Sequence, residues 1–138
     1  MNKTLVCVTP QANGKRLIDK GYQIVSAIGG ELHILHVERG NRIFGSEESS
    51  QLLQALFDYA SERDGVVHGI CGEDVFETIK RFIKEEGITH AIFGASPASP
   101  DLSGENSIES SIESLRWTIP YLWLCILERE EEPSAAVL

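Results

Sequence analysis

The sequence alternates between short runs of β-branched apolar residues and longer segments with helical periodicity, and this alternation constrains the fold most. Between the apolar runs, hydrophobic residues recur every three or four positions, as at Ile18, Tyr22 and Val25, which predicts amphipathic helices. The predicted strands cover residues 4–8, 32–37, 66–71, 88–93 and 121–127. Strands that alternate with helices build a mostly parallel sheet covered on both faces, so we predict a doubly wound α/β domain.

Polar and glycine-containing segments predict where the elements end. Residues 38–45 are polar and contain glycine, which predicts a loop after the second strand. Asp74 stands where a helix would begin and Gly87 where that helix would stop. Ser46 is a candidate cap for the second helix, and Asn106 is a candidate cap for the fourth.

Length and charge define the broad class of protein. The chain has 138 residues and a net charge of −9, which suits one globular domain over residues 1–128 and an acidic, disordered tail over 129–138. The negative charge makes nucleic acid an unfavourable partner. No apolar run approaches the roughly 20 residues that span a bilayer, and residues 1–8 lack the features of a signal peptide. We therefore expect a cytoplasmic protein that does not bind membranes.

The cysteines and histidines follow no pattern typical of a redox or metal site. The three cysteines, Cys7, Cys71 and Cys125, form no C-x-x-C pair, and each falls in an apolar run, which predicts buried free thiols. The four histidines have no zinc-ligand spacing. We therefore predict no metal site.

Ligands of open parallel sheets bind beyond the carboxyl ends of the strands, where the strand order reverses. Two segments are candidates on this ground, residues 9–14 and 94–107. The first begins the sequence T-P-Q-A-N-G-K-R of residues 9–16. This sequence nearly matches a P-loop but lacks its first glycine and its final Ser or Thr, so a plain strand-to-helix turn is expected. The second contains serines that can donate to phosphate oxygens and carboxylates that repel them. It is therefore either a ligand-binding loop or a solvated one.

No arrangement of residues indicates catalysis. No serine lies in a G-x-S-x-G elbow, and no cysteine has a neighbouring histidine that would activate it. The carboxylates lie on predicted helix faces and in the tail, where they serve solubility. We therefore predict a binding module and not an enzyme.

Five segments of the sequence are informative through their order and spacing. They are Leu5–Pro10, Lys15–Ile18, Glu31–Val37, Gly72–Val75 and Ile88–Ser96. Together they resemble the universal stress protein family, and they are most similar to the version of this domain found in Kdp-type potassium-sensor histidine kinases. The resemblance covers roughly residues 3–127.

The resemblance implies a Rossmann-like, five-stranded parallel sheet with strand order 3-2-1-4-5, and a homodimer formed through the last strand. Nucleotide-binding members of the family carry an Asp after strand one and a glycine pattern ending in Ser or Thr after strand four. Of these five positions this chain keeps only Gly94. The other four positions hold Thr9, Pro97, Ser107 and Ile108. The resemblance therefore leads us to expect weak binding of ATP, or none.

The candidate ligand-binding residues follow from the fold and the resemblance together. They are Thr9, Val37, Gly94, Ser96, Pro97 and Ser107. Sensor-kinase relatives can resemble cyclic-di-AMP receptors that use a serine-bearing loop after strand four, which brings in Ser96 and Ser99. The ligands to consider are therefore ATP or AMP and cyclic-di-AMP.

Three functions remain open from the sequence. The first is a non-catalytic module for signalling or stress response that binds an adenine nucleotide or a cyclic dinucleotide. The second is a ligand-free dimeric interaction module with an unidentified protein partner, and the third is a weak nucleotide hydrolase. For the dimer we predict an interface at Tyr121–Leu127, since this segment is apolar throughout and an uncovered edge strand must find a partner.

Overall fold

The computed structural model describes residues 2–9, 14–39, 47–94 and 112–127. Within these ranges strands and helices alternate along the chain. The elements are β1 (Lys3–Cys7), α1 (Gly14–Ile28), β2 (Glu31–Arg39), α2 (Glu47–Ser61), β3 (Val66–Gly72), α3 (Val75–Glu86), β4 (His90–Gly94), the single turn α4 (Leu115–Thr118) and β5 (Trp123–Leu127).

The five strands form one parallel sheet with the order β3-β2-β1-β4-β5. This order confirms the fold class predicted from the sequence and the strand order implied by the resemblance to universal stress proteins. The chain leaves the centre of the sheet first through β2 and β3, and then crosses to β4 and β5. The strand order therefore reverses between β1 and β4, and β3 and β5 are the two edges.

Alternate residues of the central strand belong to different cores. Leu5 of β1 packs in a cluster with residues of α3 and of the segment before β5, and Val6 packs in a second cluster with residues of α1 and α2. Both side chains are inaccessible to solvent. The sheet is therefore the middle layer of three, which explains why its strands read as nearly continuous apolar runs.

Local hydrogen bonds confirm the predicted ends of α3. The Asp74 side chain accepts a hydrogen bond from the Glu77 amide at 3.1 Å, as an N-cap does. At the other end Gly87 adopts φ 71°, a left-handed conformation that glycine accepts without strain. The amides of Gly87 and Ile88 both donate to the Ile83 carbonyl. This end motif is common after helices.

Several predicted strand boundaries were wrong by one residue, and three were wrong by two. Local hydrogen bonds or strand pairing explain these three. Glu38 and Arg39 belong to β2, not to a loop, because they pair with the last two residues of β3. Ile88 precedes β4 because its amide still closes the end of α3. Leu122 lies outside β5 because its amide donates to the Ile119 carbonyl in a turn, so Tyr121 also precedes the strand.

Other predictions fall on residues that the structure does not describe. These are the caps at Ser46 and Asn106 and the tail over 129–138. Of the helices within the described ranges, none has the length and apolar character needed to cross a bilayer.

Candidate functional site

The carboxyl ends of β2, β1 and β4 lie side by side where the strand order reverses. Val8 extends the pairing of β1, because its amide donates to the Leu35 carbonyl at 2.9 Å. The register between β1 and β2 pairs Cys7 with Leu35, and two residues further along the same register Thr9 reaches the level of Val37. Gly94 is the last residue of β4, on the other side of β1. The fold thus brings together three of the six candidate residues.

These three residues differ in what they can offer to a ligand. Thr9 and Gly94 are exposed, so the Thr9 hydroxyl and the backbone of both residues are accessible. Val37 is half-buried and packs against the core on the α3 side of the sheet. Val37 therefore offers a ligand apolar side-chain atoms only. Ser96, Pro97 and Ser107 lie outside the described residues.

Gly94 lies against the first turns of α1. A Cβ built on Gly94 would lie 3.2 Å from a methyl carbon of Leu17, closer than side chains usually approach. Glycine therefore lets α1 pack closely on the end of β4. The position kept from the nucleotide-binding pattern has a packing reason of its own, which requires no ligand.

The near match to a P-loop also has a packing explanation. Gly14 is buried, and a Cβ on it would lie 2.8 Å from a methyl carbon of Leu56 on α2. The neighbouring Lys15 places its ammonium group 5.2 Å from the centre of the Tyr59 ring, also on α2. Glycine at this position thus allows α1 and α2 to pack together, and the lysine contacts an aromatic face. Both observations favour the predicted strand-to-helix turn over a phosphate-binding loop.

His36 also lies near the carboxyl ends of the strands, although the sequence did not identify it as a site residue. Its ring is 3% exposed and reaches across to β1, where Nδ1 donates to the Val8 carbonyl at 3.0 Å. Its Nε2 lies 3.3 Å from Oε2 of Glu38. A carbonyl can only accept, so the geometry assigns a proton to Nδ1. A second proton on Nε2 makes the contact with Glu38 a charged hydrogen bond.

Glu38 adds a carboxylate close to the level of Thr9 in the sheet. The Glu38 carboxylate lies in the last part of β2, and its side chain is 30% exposed. A carboxylate at this position repels a phosphate group. The only signal in the sequence is a histidine two residues before a glutamate in a strand. That signal does not identify a site residue, because the hydrogen-bond partner of His36 is the Val8 carbonyl, which only the fold brings close.

The three cysteines are free, and burial makes Cys7 a poor nucleophile. All three are free, as predicted, although each is only partly buried and not fully buried as the sequence suggested. Burial of its thiol raises the pKa of Cys7 far above the usual range, so the reactive thiolate is not formed near neutral pH. Within the described parts of the chain, no three His, Cys, Asp or Glu residues are grouped as metal ligands.

Comparison with known proteins gives a fold and no closer relationship. No protein-family model matches the sequence, and no curated protein matches it either. Solved structures do match, over nearly the whole chain, and they are described as universal stress proteins.

A member of this family from Burkholderia pseudomallei aligns with 91% of this chain and 95% of its own, at 15% identity and a TM-score of 0.59. A universal stress protein solved in complex with cAMP aligns with 95% of this chain and 98% of its own, at 13% identity and a TM-score of 0.62. A universal stress protein from Archaeoglobus fulgidus gives a TM-score of 0.67 at 22% identity. That alignment covers 94% of this chain and 45% of the archaeal one. The chain therefore has the universal stress protein fold.

Proposed function

We propose that this protein is a non-catalytic member of the universal stress protein family that binds a small ligand in signalling or stress response. The observation that carries the proposal is the meeting of Thr9, Val37 and Gly94 where the strand order reverses, which is the usual ligand position in open parallel sheets. A protein of the same fold has been solved with cAMP, which supports an adenine-containing ligand.

The proposed ligand is an adenine nucleotide or a cyclic dinucleotide, and we expect ATP to bind weakly or not at all. Thr9 stands where nucleotide-binding relatives carry an Asp, and Glu38 adds negative charge near the place of the phosphates. The segments that resemble the universal stress protein domain of Kdp-type sensor kinases lead us to propose a relationship to those domains, which favours cyclic-di-AMP over ATP. Calorimetry with ATP, AMP, cAMP and cyclic-di-AMP tests the proposal directly.

A pair of matched variants places the ligand. Thr9→Trp fills the predicted site from an exposed position, whereas Glu62→Trp adds the same bulk at an exposed position near the start of β3, at the other end of the sheet. We expect Thr9→Trp to abolish the heat signal and Glu62→Trp to keep it. A ligand at one hundred times its Kd should also stabilise the protein by about 2.7 kcal/mol. Micromolar ATP binding, or binding that Thr9→Trp leaves intact, would contradict the proposal.

A second candidate function, a dimeric interaction module, rests on the surface beside β5. Trp117, Tyr121 and Trp123 are 74%, 65% and 46% exposed, which is unusual for aromatic residues of this size. The outer edge of β5 pairs with no strand among the described residues. We propose that two copies pair along this edge, with the interface at Tyr121–Leu127, since two-fold pairing satisfies the backbone groups of both strands.

Light scattering at micromolar concentration tests this interface. Trp123→Glu should convert a dimer into a monomer, because it places a charge where two aromatic surfaces would meet. Tyr22→Glu is the matched control, since Tyr22 on α1 is 45% exposed and lies away from this edge. A monomer mass for the unmodified protein, or equal effects of the two substitutions, would rule out this edge as the interface.

A further inference from the structure

Three titratable side chains form a hydrogen-bonded chain at the start of β2 and β3, at the opposite end of the sheet from the candidate ligand site. Nε2 of His33 lies 2.9 Å from Oε1 of Glu31, and Nδ1 of His33 lies 3.0 Å from Nε2 of His68. His33 is buried between its two partners, and His68 is half-buried. The contact between the two imidazoles joins β2 to the edge strand β3.

The two imidazole rings meet edge to edge. Their centroids are 5.2 Å apart and their planes differ by 18°, so with the nitrogens at 3.0 Å the rings are nearly coplanar and share an in-plane N–H···N bond. Phe82 of α3 packs its ring against both, with centroids 6.4 Å from His33 and 4.8 Å from His68. The two nitrogens face one another too closely for a metal ion to lie between them, and no third ligand joins them among the described residues.

The geometry limits how many protons the hydrogen-bonded side chains of Glu31, His33 and His68 can hold together. The Glu31 carboxylate accepts, so Nε2 of His33 is protonated, and Nδ1 of His33 can then accept the Nε2 proton of His68. The arrangement tolerates one more proton. If either imidazole becomes a cation, the other ring still offers a nitrogen lone pair that accepts the hydrogen bond between the two rings. When both rings are cations, two N–H groups point at each other across the same 3.0 Å. The bond is then replaced by a repulsion between like charges.

We propose that the chain Glu31–His33–His68 is an acid-sensitive latch that holds the edge strand β3 against β2 and opens when both rings are cations. Two further charged groups act on it from neighbouring elements. Lys3 of β1 places its ammonium 3.9 Å from Oε1 of Glu31, and Glu86 of α3 acts on His68. The hydrogen bond from His33 lowers the pKa of the Glu31 carboxyl, which keeps this acceptor charged in mild acid.

The direction of the pH effect follows from His68. Burial, and then the charge on His33, lowers the pKa of His68 below its ordinary value near 6.5, and Glu86 only partly offsets them. The folded state therefore holds fewer protons than the unfolded state as the pH falls through that value. By linkage the latch contributes fully above about pH 6.5, and its contribution is lost as the pH falls toward the lowered pKa.

Hydrogen exchange of the β3 amides tests the latch. We expect their protection, corrected for intrinsic exchange, to fall about fivefold between about pH 7.5 and about pH 5, since the loss of one hydrogen bond changes an opening equilibrium by about this factor. The amides of β4, in the same sheet, serve as the internal reference. Histidine ¹⁵N spectra of the unmodified protein should show His33 accepting at Nδ1 at the higher pH, and both rings protonated at the lower pH.

Two substitutions distinguish the latch from a general effect of acid. His68→Gln keeps an N–H donor for His33 but cannot be protonated, so the β3 amides should lose most of their dependence on pH. His90→Gln removes a half-buried histidine on β4 and should leave that dependence unchanged. Equal loss of protection in β3 and β4, or a His68→Gln variant as acid-sensitive as the parent, would overturn the proposal. Spectra in which His33 Nδ1 never accepts a hydrogen bond would overturn it without any variant.

Discussion

Replacement of His36 by leucine tests a hydrogen bond that crosses from β2 to β1 at the candidate site. The question is whether the free energy of unfolding depends on this bond. The His36 ring is buried, donates from Nδ1 to the Val8 carbonyl at 3.0 Å, and places Nε2 3.3 Å from Glu38. Leucine keeps an apolar side chain in the space and removes both ring nitrogens. The Val8 carbonyl then loses its side-chain donor, and Glu38 loses its contact with the imidazole.

The expected cost follows from these two losses. A buried acceptor left without its donor costs about 1–3 kcal/mol. The contact with Glu38 adds no more than about 1 kcal/mol, because the carboxylate is 30% exposed and water replaces the lost partner. The greater apolarity of leucine offsets part of the sum, so we expect His36→Leu to lower the free energy of unfolding by about 2 kcal/mol. His36→Asn places an amide nitrogen near the position of Nδ1 and should cost about 1 kcal/mol or less.

Urea denaturation near pH 7.5 measures both variants. The midpoint should shift while the slope with denaturant stays constant, since the surface exposed on unfolding does not change. A loss below about 0.5 kcal/mol for His36→Leu would mean that the Val8 carbonyl needs no donor. Equal losses for the leucine and asparagine variants would mean that ring volume, and not the hydrogen bond, determines stability here.

Three further predictions concern the core, a helix end and a thiol. Gly21→Ala should destabilise the protein by about 1–2 kcal/mol in the same assay. Its Cβ would lie 2.5 Å from a methyl carbon of the stiff side chain of Val6, and overpacking of about 1–3 kcal/mol exceeds the helix-propensity gain of about 1 kcal/mol. Asp74→Ala should cost about 1 kcal/mol through loss of the N-cap of α3, and Asp74→Ser should restore most of it; equal losses would contradict the capping role. Cys7 should react with iodoacetamide at about pH 8 at least about tenfold more slowly than the other two cysteines, as followed by peptide mass spectrometry, because burial raises the pKa of its thiol; equal rates would contradict this.

Most elements of the fold could be predicted because their signals lie within a few residues of one another. The three- and four-residue spacing at Ile18, Tyr22 and Val25 predicts α1, and the pair Asp74 and Gly87 marks the ends of α3 correctly. The errors fell at strand ends, where the decision depends on a neighbouring strand. Glu38 is polar, which predicts a loop. It lies in β2 because β3 is long enough to pair with it.

The number, kind and order of the described elements follow from the pattern of the sequence, since apolar periodicity requires each element to bury one face or both. The same pattern places Thr9, Val37 and Gly94 near one another, since the carboxyl ends of parallel strands meet at one end of the sheet. The contacts of the histidines, in contrast, depend on how distant parts of the sequence come together in the fold. His36 meets a carbonyl 28 residues away and His33 meets a ring 35 residues away. Hydrogen bonds depend on distance and angle between atoms, and strand register sets these for residues that are far apart in the chain.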